Sequence, residues 1–112
     1  MILVNTTFSV DNTIVDDFRQ FIIDEYIPSA IKMCHAYAPL LTALRQGQGP
    51  DDPSSSTLAL QMRLPRQKDE QVFASEFYQA LFGKMALRWG KKVLYFSSVL
   101  DVLTDFNDGT SR

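Results

Sequence analysis

Residues 2–10, ILVNTTFSV, decide the fold, because hydrophobic and polar side chains alternate along them. The hydrophobic residues that share one side of this period-two pattern are Ile2, Val4, Phe8 and Val10. Asn5 and Thr7 fall on the other side. Successive side chains of a strand point to opposite faces of its sheet, so the pattern predicts a strand with one apolar and one polar face. A sheet built around this strand needs a covering layer on its apolar face.

A helix that begins near residue 12 is predicted to supply part of that layer. Thr13 is followed three residues later by Asp16, a variant of the capping box that opens helices. Pro28 lacks a backbone donor and crowds the preceding turn, so it predicts a kink or a brief interruption. The helix is expected to end near His35.

Three further strands and a second helix complete the predicted order of elements. Residues 56–64, STLALQMRL, alternate cleanly, while residues 38–46 give a weaker strand pattern. The second helix is predicted over residues 68–89, and Gly90 followed by two lysines marks its end. The last strand lies within KKVLYFSSVLDVL, residues 91–103, and is apolar on both faces.

The order β-α-β-β-α-β predicts an α+β, ferredoxin-like fold. Right-handed crossovers place both helices on one face of a four-stranded antiparallel sheet with strand order 4-1-3-2. We expect a single domain over residues 1–104 and a flexible C-terminal tail over residues 105–112. Glycine, proline and serine at residues 47–55 predict a mobile surface loop.

The face of the sheet that the helices leave open predicts a homodimer. In the last strand we assign Leu94 and Phe96 to the covered face. The residues assigned to the open face are Leu3, Asn5, Thr7, Ala43, Gln61, Arg63, Val93, Tyr95 and Val99. This face is too apolar at the fourth strand to stay in water, and a second copy packed sheet to sheet is the economical cover. The expected assembly is a dimeric α+β barrel.

Composition excludes several classes of partner. The 112 residues carry a net charge of −2, which gives no broad attraction to nucleic acid or to a membrane surface. The basic run RLPRQK at residues 63–68 holds three cations and is interpreted as a solvated loop. A single cysteine forms no internal disulfide, and no apolar run approaches the roughly 20 residues of a membrane span. The start, MILVNTTFSV, lacks the basic leader of a signal peptide, so a cytoplasmic location is expected.

Three stretches carry a resemblance to a known family: NTTFSVD at residues 5–11, EYIPSAI at residues 25–31 and RWGKKVLYFSSVLDVL at residues 88–103. They resemble a bacterial domain-of-unknown-function family of small ferredoxin-like proteins, over residues 1 to about 103. The resemblance implies a fold of the dimeric α+β barrel group. That group includes monooxygenases that act without metal or flavin, haem-degrading enzymes and plain binding proteins, and its ligands usually lie between the helices and the sheet.

The chain departs from the family pattern at two positions. Members often carry histidine where this chain has Tyr26, and again near Met85. If those histidines serve a site elsewhere in the family, this chain has lost it.

The stretch KMCHAY, residues 32–37, holds the only cysteine and the only histidine of the chain, Cys34 and His35. Neighbouring side chains of a helix diverge by about 100 degrees, so the pair does not converge on one atom. A zinc site needs about four ligands, and the chain offers no other cysteine or histidine. We interpret Cys34 as a buried structural residue and His35 as a helix-end residue, and we expect neither a metal nor another cofactor.

The better candidates for a ligand-binding site are aromatic residues with a polar tip, namely Tyr26, Trp89 and Tyr95. Asn5 and Arg63 lie on polar sheet faces, where they satisfy one another or a partner subunit unless they bind a ligand.

Two functional classes follow. The first is a homodimeric binding or interaction module whose helix-to-sheet cleft is either filled by Phe and Met side chains or holds an apolar ligand. The second is a cofactor-independent monooxygenase or isomerase. In it, Tyr26, Trp89 and Asn5 orient an aromatic or enolisable substrate, and Tyr26 or His35 moves a proton.

Overall fold

The protein is described here by a computed structural model, which covers residues 1–45 and 53–105. Its strands are β1 (Ile2–Asp11), β2 (Tyr37–Ala43), β3 (Ser55–Leu64) and β4 (Val93–Asp101). Most of the loop predicted at residues 47–55, and all but the first residue of the tail predicted at residues 105–112, lie outside the described residues.

Two helices connect the strands, and each has a π-helical middle. Helix α1, residues 15–34, consists of an α-helix (Val15–Phe21), a π-helix (Ile22–Tyr26) and a second α-helix (Ile27–Cys34). Helix α2, residues 67–89, consists in the same way of Gln67–Val72, Phe73–Phe82 and Gly83–Trp89, and a short 3-10 turn (Gly90–Lys92) follows it. Within the described residues, no helix combines the length and the apolar character that crossing a membrane requires.

The strands form one antiparallel sheet in the order β2-β3-β1-β4, which is the predicted order read from the other edge. The ferredoxin-like fold is therefore confirmed. β1 runs through the centre of the sheet, where Val4 lies opposite Met62 and Phe8 lies opposite Leu58. All four side chains are buried beneath the helices. The alternation read from ILVNTTFSV thus gives the correct core face for β1 and β3.

The face assignment predicted for β4 is wrong. β4 pairs with β1 so that Tyr95 lies opposite the buried Phe8, which puts Val93, Tyr95 and Val99 on the covered side. Leu94 and Phe96 lie opposite Ser9 and Thr7, and therefore belong to the open face. Because β4 is apolar on both sides, its own pattern does not determine which side chains face the helices. The pairing with β1 determines it. Ala43 is likewise misassigned, since it lies opposite Leu58 on the covered side.

Helix α1 begins later than predicted, and its α-helical pattern is interrupted next to Pro28, as predicted. Asp11 accepts hydrogen bonds from the backbone N–H and the hydroxyl of Thr13, at 2.8 and 2.6 Å, so Thr13 serves a turn instead of a capping box. The α-helix starts at Val15. The π-helical turn of residues 22–26 ends just before Pro28, whose missing N–H removes an α-helical hydrogen bond.

Candidate functional site

Tyr26 lies in the covered interior, enclosed by aromatic rings. Its ring makes edge-to-face contacts with Phe8, Phe77 and Phe82, at centroid distances of 6.0, 5.0 and 5.8 Å. The side chain is fully buried, and its hydroxyl has no hydrogen-bond partner among the described residues. Burial raises the pKa of this hydroxyl well above its usual range, and the nearby Thr6 hydroxyl offsets the rise only in part. Tyr26 is therefore a protonated phenol at neutral pH.

Trp89 packs at the other end of the same aromatic cluster. Its ring meets Phe18 and Phe21 edge to face, at centroid distances of 5.4 and 5.3 Å. The guanidinium of Arg88 lies 4.5 Å from the ring centroid, which is a cation–π contact at the surface. Two phenylalanines and one arginine thus occupy the surfaces through which Trp89 would contact a ligand.

Tyr95 forms a separate pair with Tyr78 of helix α2. The two hydroxyl oxygens are 2.6 Å apart, and the ring of Tyr95 lies 4.4 Å from that of Phe82. The hydrogen bond with Tyr78 raises the pKa of Tyr95 to about 12. These contacts place Tyr95 on the helix side of the sheet, away from Asn5 and Arg63.

His35 belongs to a charged cluster, the helix clasp, formed by His35, Arg66 and Asp69. His35 ends helix α1 in the left-handed conformation, with φ of 56°, and its Nδ1 lies 2.8 Å from Oδ1 of Asp69. Arg66 donates to the same carboxylate through Nε at 2.9 Å and Nη2 at 3.1 Å. We assign the Nδ1 proton to the bond with Asp69, since a carboxylate only accepts. The clasp ties the end of α1 to the start of α2.

Two pKa values are shifted in and beside the helix clasp. Asp69 is buried, with 3% of its side chain exposed, and the hydrogen bonds from Arg66 and then from His35 lower its pKa to about 2. The neighbouring Cys34 thiol shifts the other way, because burial and the Asp69 charge raise its pKa to about 11. A thiol with this pKa is largely protonated and unreactive at neutral pH.

The open face of the sheet carries the other two predicted site residues. Asn5 lies opposite Gln61 on β3 and Ser98 on β4. Arg63 lies opposite Leu3, and its Nη1 donates to Oδ2 of Asp105 at 2.9 Å. The partner of Arg63 is therefore Asp105, beyond the end of β4, and not Asn5.

A groove of about 380 Å³ surrounds Arg63 on the open face. Its lining is half apolar and half polar: Leu3, Ala38, Leu40 and Val102 with Gln61, Arg63, Thr104 and Asp105. A bulge between Tyr37 and Leu40 interrupts the pairing of β2 where Ala38 adopts a positive φ of 50°. We call this feature the Arg63 groove. The sequence contains these residues, but it does not reveal what brings them together, namely the bulge in β2 and the position of residues 102–105 after β4.

The predicted site residues thus do not converge. Tyr26 and Trp89 share the covered aromatic cluster, and Asn5 and Arg63 lie on the open face. Tyr95 pairs with Tyr78, and His35 belongs to the helix clasp. Over residues 1–45 and 53–105, no group of three or more Cys, His, Asp and Glu side chains is arranged to hold a metal ion. The helix clasp and the Arg63 groove are the features that sequence reasoning missed.

Comparison with known proteins identifies a family and a fold. The family described as "Domain of unknown function (DUF4286)" matches residues 1–103. No curated protein matches the chain.

Among solved structures, two dimeric ferredoxin-like proteins from uncultured marine organisms are similar to this chain. The first has a TM-score of 0.62 at 12% identity, covering 95% of this chain and 98% of that one. The second has a TM-score of 0.63 at 9% identity, covering 93% and 97%. An ethd family protein from Bacillus halodurans has a TM-score of 0.57 at 12% identity, covering 91% and 100%. These similarities establish the fold.

Proposed function

The chain belongs to the DUF4286 family, a domain of unknown function, and from its surfaces we propose that it is a small homodimeric binding or interaction module. Two copies pack the open faces of their sheets together, and the space between each sheet and its own helices is filled by side chains of that copy. The exposed apolar stripe on β4 carries this proposal.

That stripe consists of Leu94, Phe96 and Leu100, which project from the open face at every second residue, except at Ser98. Their exposed fractions are 62%, 66% and 47%. Apolar residues scattered singly on a surface need no explanation, but several large apolar side chains on one sheet face are typical of an interface. Leu40, at 55% exposure, extends the apolar surface at the opposite edge of the same face.

A second copy is the occupant that fits the stripe. A face of four strands about nine residues long measures roughly 600 Å², given the spacing of strands and of residues along them. Stable dimers bury about 800 Å² per copy, so the whole face and its rim, including the exposed Leu103, would be used. The similar structures described as dimeric support the same choice of partner.

The packing beside Tyr26 favours a filled interior over a ligand-binding one. Three aromatic rings surround the Tyr26 ring, and Phe18 occupies the space between Phe8 and Trp89. The unpartnered Tyr26 hydroxyl is the observation that favours the second candidate, a cofactor-independent monooxygenase or isomerase. Its raised pKa removes it as a base at neutral pH, so it could only orient a substrate by hydrogen bonding. The module therefore remains our proposal.

The test compares two charge substitutions at exposed apolar positions. Phe96→Asp places a carboxylate on the open face, whereas Leu87→Asp places one on helix α2, where Leu87 is 92% exposed. We expect the wild type and Leu87→Asp to be dimers by native mass spectrometry and light scattering, and Phe96→Asp to be a monomer. The reason is that burying an unpaired charge is strongly unfavourable.

Circular dichroism of Phe96→Asp provides the control for folding. A monomeric wild type at high micromolar concentration would overturn the proposal, and so would a folded Phe96→Asp variant that stays dimeric. A small molecule retained in the interior beside Tyr26, in wild-type protein purified from its own host, would instead favour the enzymatic candidate.

A further inference from the structure

Arg63 uses only part of its hydrogen-bonding capacity. Its Nη1 donates to Asp105 Oδ2 and lies 2.9 Å from Met1 Sδ, whereas Nε and Nη2 have no partner among the described residues. Nε and Nη2 form one edge of the guanidinium, and this edge matches the two oxygens of a carboxylate. Arg66 uses the same edge, through Nε and Nη2, to hold Asp69. The corresponding edge of Arg63 is unoccupied within the described chain.

The surroundings of Arg63 combine a cation with an apolar wall. Among the described residues that line the Arg63 groove, Arg63 is the only cation, and 28% of its side chain is exposed. Leu3, Leu40 and Val102 provide apolar surface beside it. The groove volume of about 380 Å³ falls within the ~300–1,000 Å³ of small-molecule sites. The groove therefore has the size, charge and apolar surface of a site for an amphipathic anion.

We propose that the Arg63 groove binds a small organic anion, which places a carboxylate or sulfonate on Nε and Nη2 of Arg63 and an apolar body against Leu3, Leu40 and Val102. This inference rests on the proposed function in one respect, because a second copy across the open face would close over the groove, but the residues that hold the anion all belong to one copy. Asp105 binds the other side of the guanidinium through Nη1, and its negative charge weakens binding of the anion by repulsion. The site is separate from the filled interior around Tyr26.

Two fluorescent probes of similar shape separate the charge from the apolar body. Anilinonaphthalene sulfonate is anionic, and N-phenylnaphthylamine is its neutral counterpart. Arg63→Met is expected to weaken binding of the sulfonate by about tenfold, equivalent to roughly 1.4 kcal/mol, and to leave binding of the neutral probe unchanged. Asp105→Asn is expected to strengthen binding of the sulfonate, because the repelling charge is removed.

Arg19→Met is the matched control, since it removes the same charge from an exposed position on helix α1. It is expected to change binding of neither probe. Arg63→Lys keeps the charge and loses the two-nitrogen edge, so it is expected to weaken sulfonate binding less than Arg63→Met does. Arg63→Lys also serves if Arg63→Met does not fold, as judged by circular dichroism.

Three results would overturn the inference: a wild type that does not bind the sulfonate, equal losses for both probes in Arg63→Met, or equal effects of Arg19→Met and Arg63→Met. Oligomeric state, measured in the same samples, separates this inference from the proposed function. If the wild type is a dimer and Arg63→Met binds the sulfonate as tightly as the wild type does, only the anion site is refuted. A monomeric wild type whose sulfonate binding requires Arg63 refutes only the dimer.

Discussion

The two faces of the sheet come from the same strands, but the helices bury the large side chains of only one face, at the centre of the sheet. On the covered face Val4, Phe8 and Leu60 have no exposed surface, whereas Leu94 and Phe96 on the open face are 62% and 66% exposed. Both faces contain large hydrophobic residues. The difference teaches that hydrophobicity alone does not identify the core of this protein, because burial depends on which face the helices cover.

The same contrast holds for the two arginine–aspartate pairs. Arg66 grips the buried Asp69 with two nitrogens, and His35 adds a third hydrogen bond, so the carboxylate is fully engaged. Arg63 contacts Asp105 through a single nitrogen. The helix clasp is therefore a structural connection between two helices, whereas Nε and Nη2 of Arg63 have no partner among the described residues.

The first prediction has the largest expected effect and compares one substitution on each face of the sheet. Phe8→Ala removes a fully buried ring that contacts Phe18 and Tyr26, and it should lower the free energy of unfolding by about 3–5 kcal/mol. Phe96→Ala removes an exposed ring, so it should destabilise only at protein concentrations where the dimer forms. Urea unfolding at two protein concentrations measures both effects.

The concentration dependence is the informative part of that experiment. The loss for Phe8→Ala should be present at both concentrations, because the ring packs within one copy. If Phe96→Ala lost equal stability at low and at high concentration, its ring would be part of the monomer's core, and the distinction between the faces would fail.

The sequence predicts most of the fold because β1 and β3 are each strongly apolar on one side and mostly polar on the other. Their alternation identifies the core face without further information. β4 is apolar on both sides, so the phase of its burial depends on pairing with β1, a contact that a local pattern does not contain. The open face does carry apolar surface at β4, as predicted. The residues that form it are Leu94, Phe96 and Leu100, and not Val93, Tyr95 and Val99.

The candidate sites were less predictable, because they depend on contacts between distant segments. An arginine three residues before an aspartate is visible in RQKD, residues 66–69, but His35 reaches Asp69 only after both helices pack on the sheet. Asp105 follows β4 and meets Arg63 on β3 across the sheet. The capping box predicted at Thr13 and Asp16 is wrong for a similar reason, since a threonine can cap a helix or, as Thr13 does with Asp11, close a turn.

The second prediction concerns the helix clasp. Asp69→Asn should lower the melting temperature at neutral pH by several degrees, because Arg66 and His35 lose their charged partner. The folded-state pKa of Asp69, about 2, lies below its value of about 3.9 in unfolded chains. Its contribution to stability is therefore complete above about pH 4 and is lost as the pH falls toward 2.

Melting temperatures measured between neutral pH and pH 2 test this directly. The Asn variant should lose less stability than the wild type over the acidic part of the range. Asp17→Asn, at an exposed position of helix α1, is the control and should follow the wild type. Parallel curves for wild type and Asp69→Asn would contradict the structural role of the clasp.

The third prediction tests whether the covered interior holds anything besides side chains. Tyr26→Phe removes a buried hydroxyl that has no partner among the described residues. The free energy of unfolding should stay within about 1 kcal/mol of the wild type or rise, because an unsatisfied polar group is removed from the core. A loss above about 2 kcal/mol would mean that the hydroxyl has a partner, namely the nearby Thr6 hydroxyl, a bound water or a ligand.

The smallest expected effect checks the register of β4. Tyr95 contacts Tyr78 only if it faces the helices, and their hydrogen bond raises its pKa to about 12. Tyr78→Phe should therefore lower the pKa of Tyr95 toward the ordinary value of about 10, with little change in stability. Ultraviolet titration of tyrosinate measures the shift, Tyr95→Phe identifies the signal, and Tyr37→Phe on β2 serves as the control. An unchanged Tyr95 titration in Tyr78→Phe would place Tyr95 on the open face, and Leu94 and Phe96 would then belong under the helices.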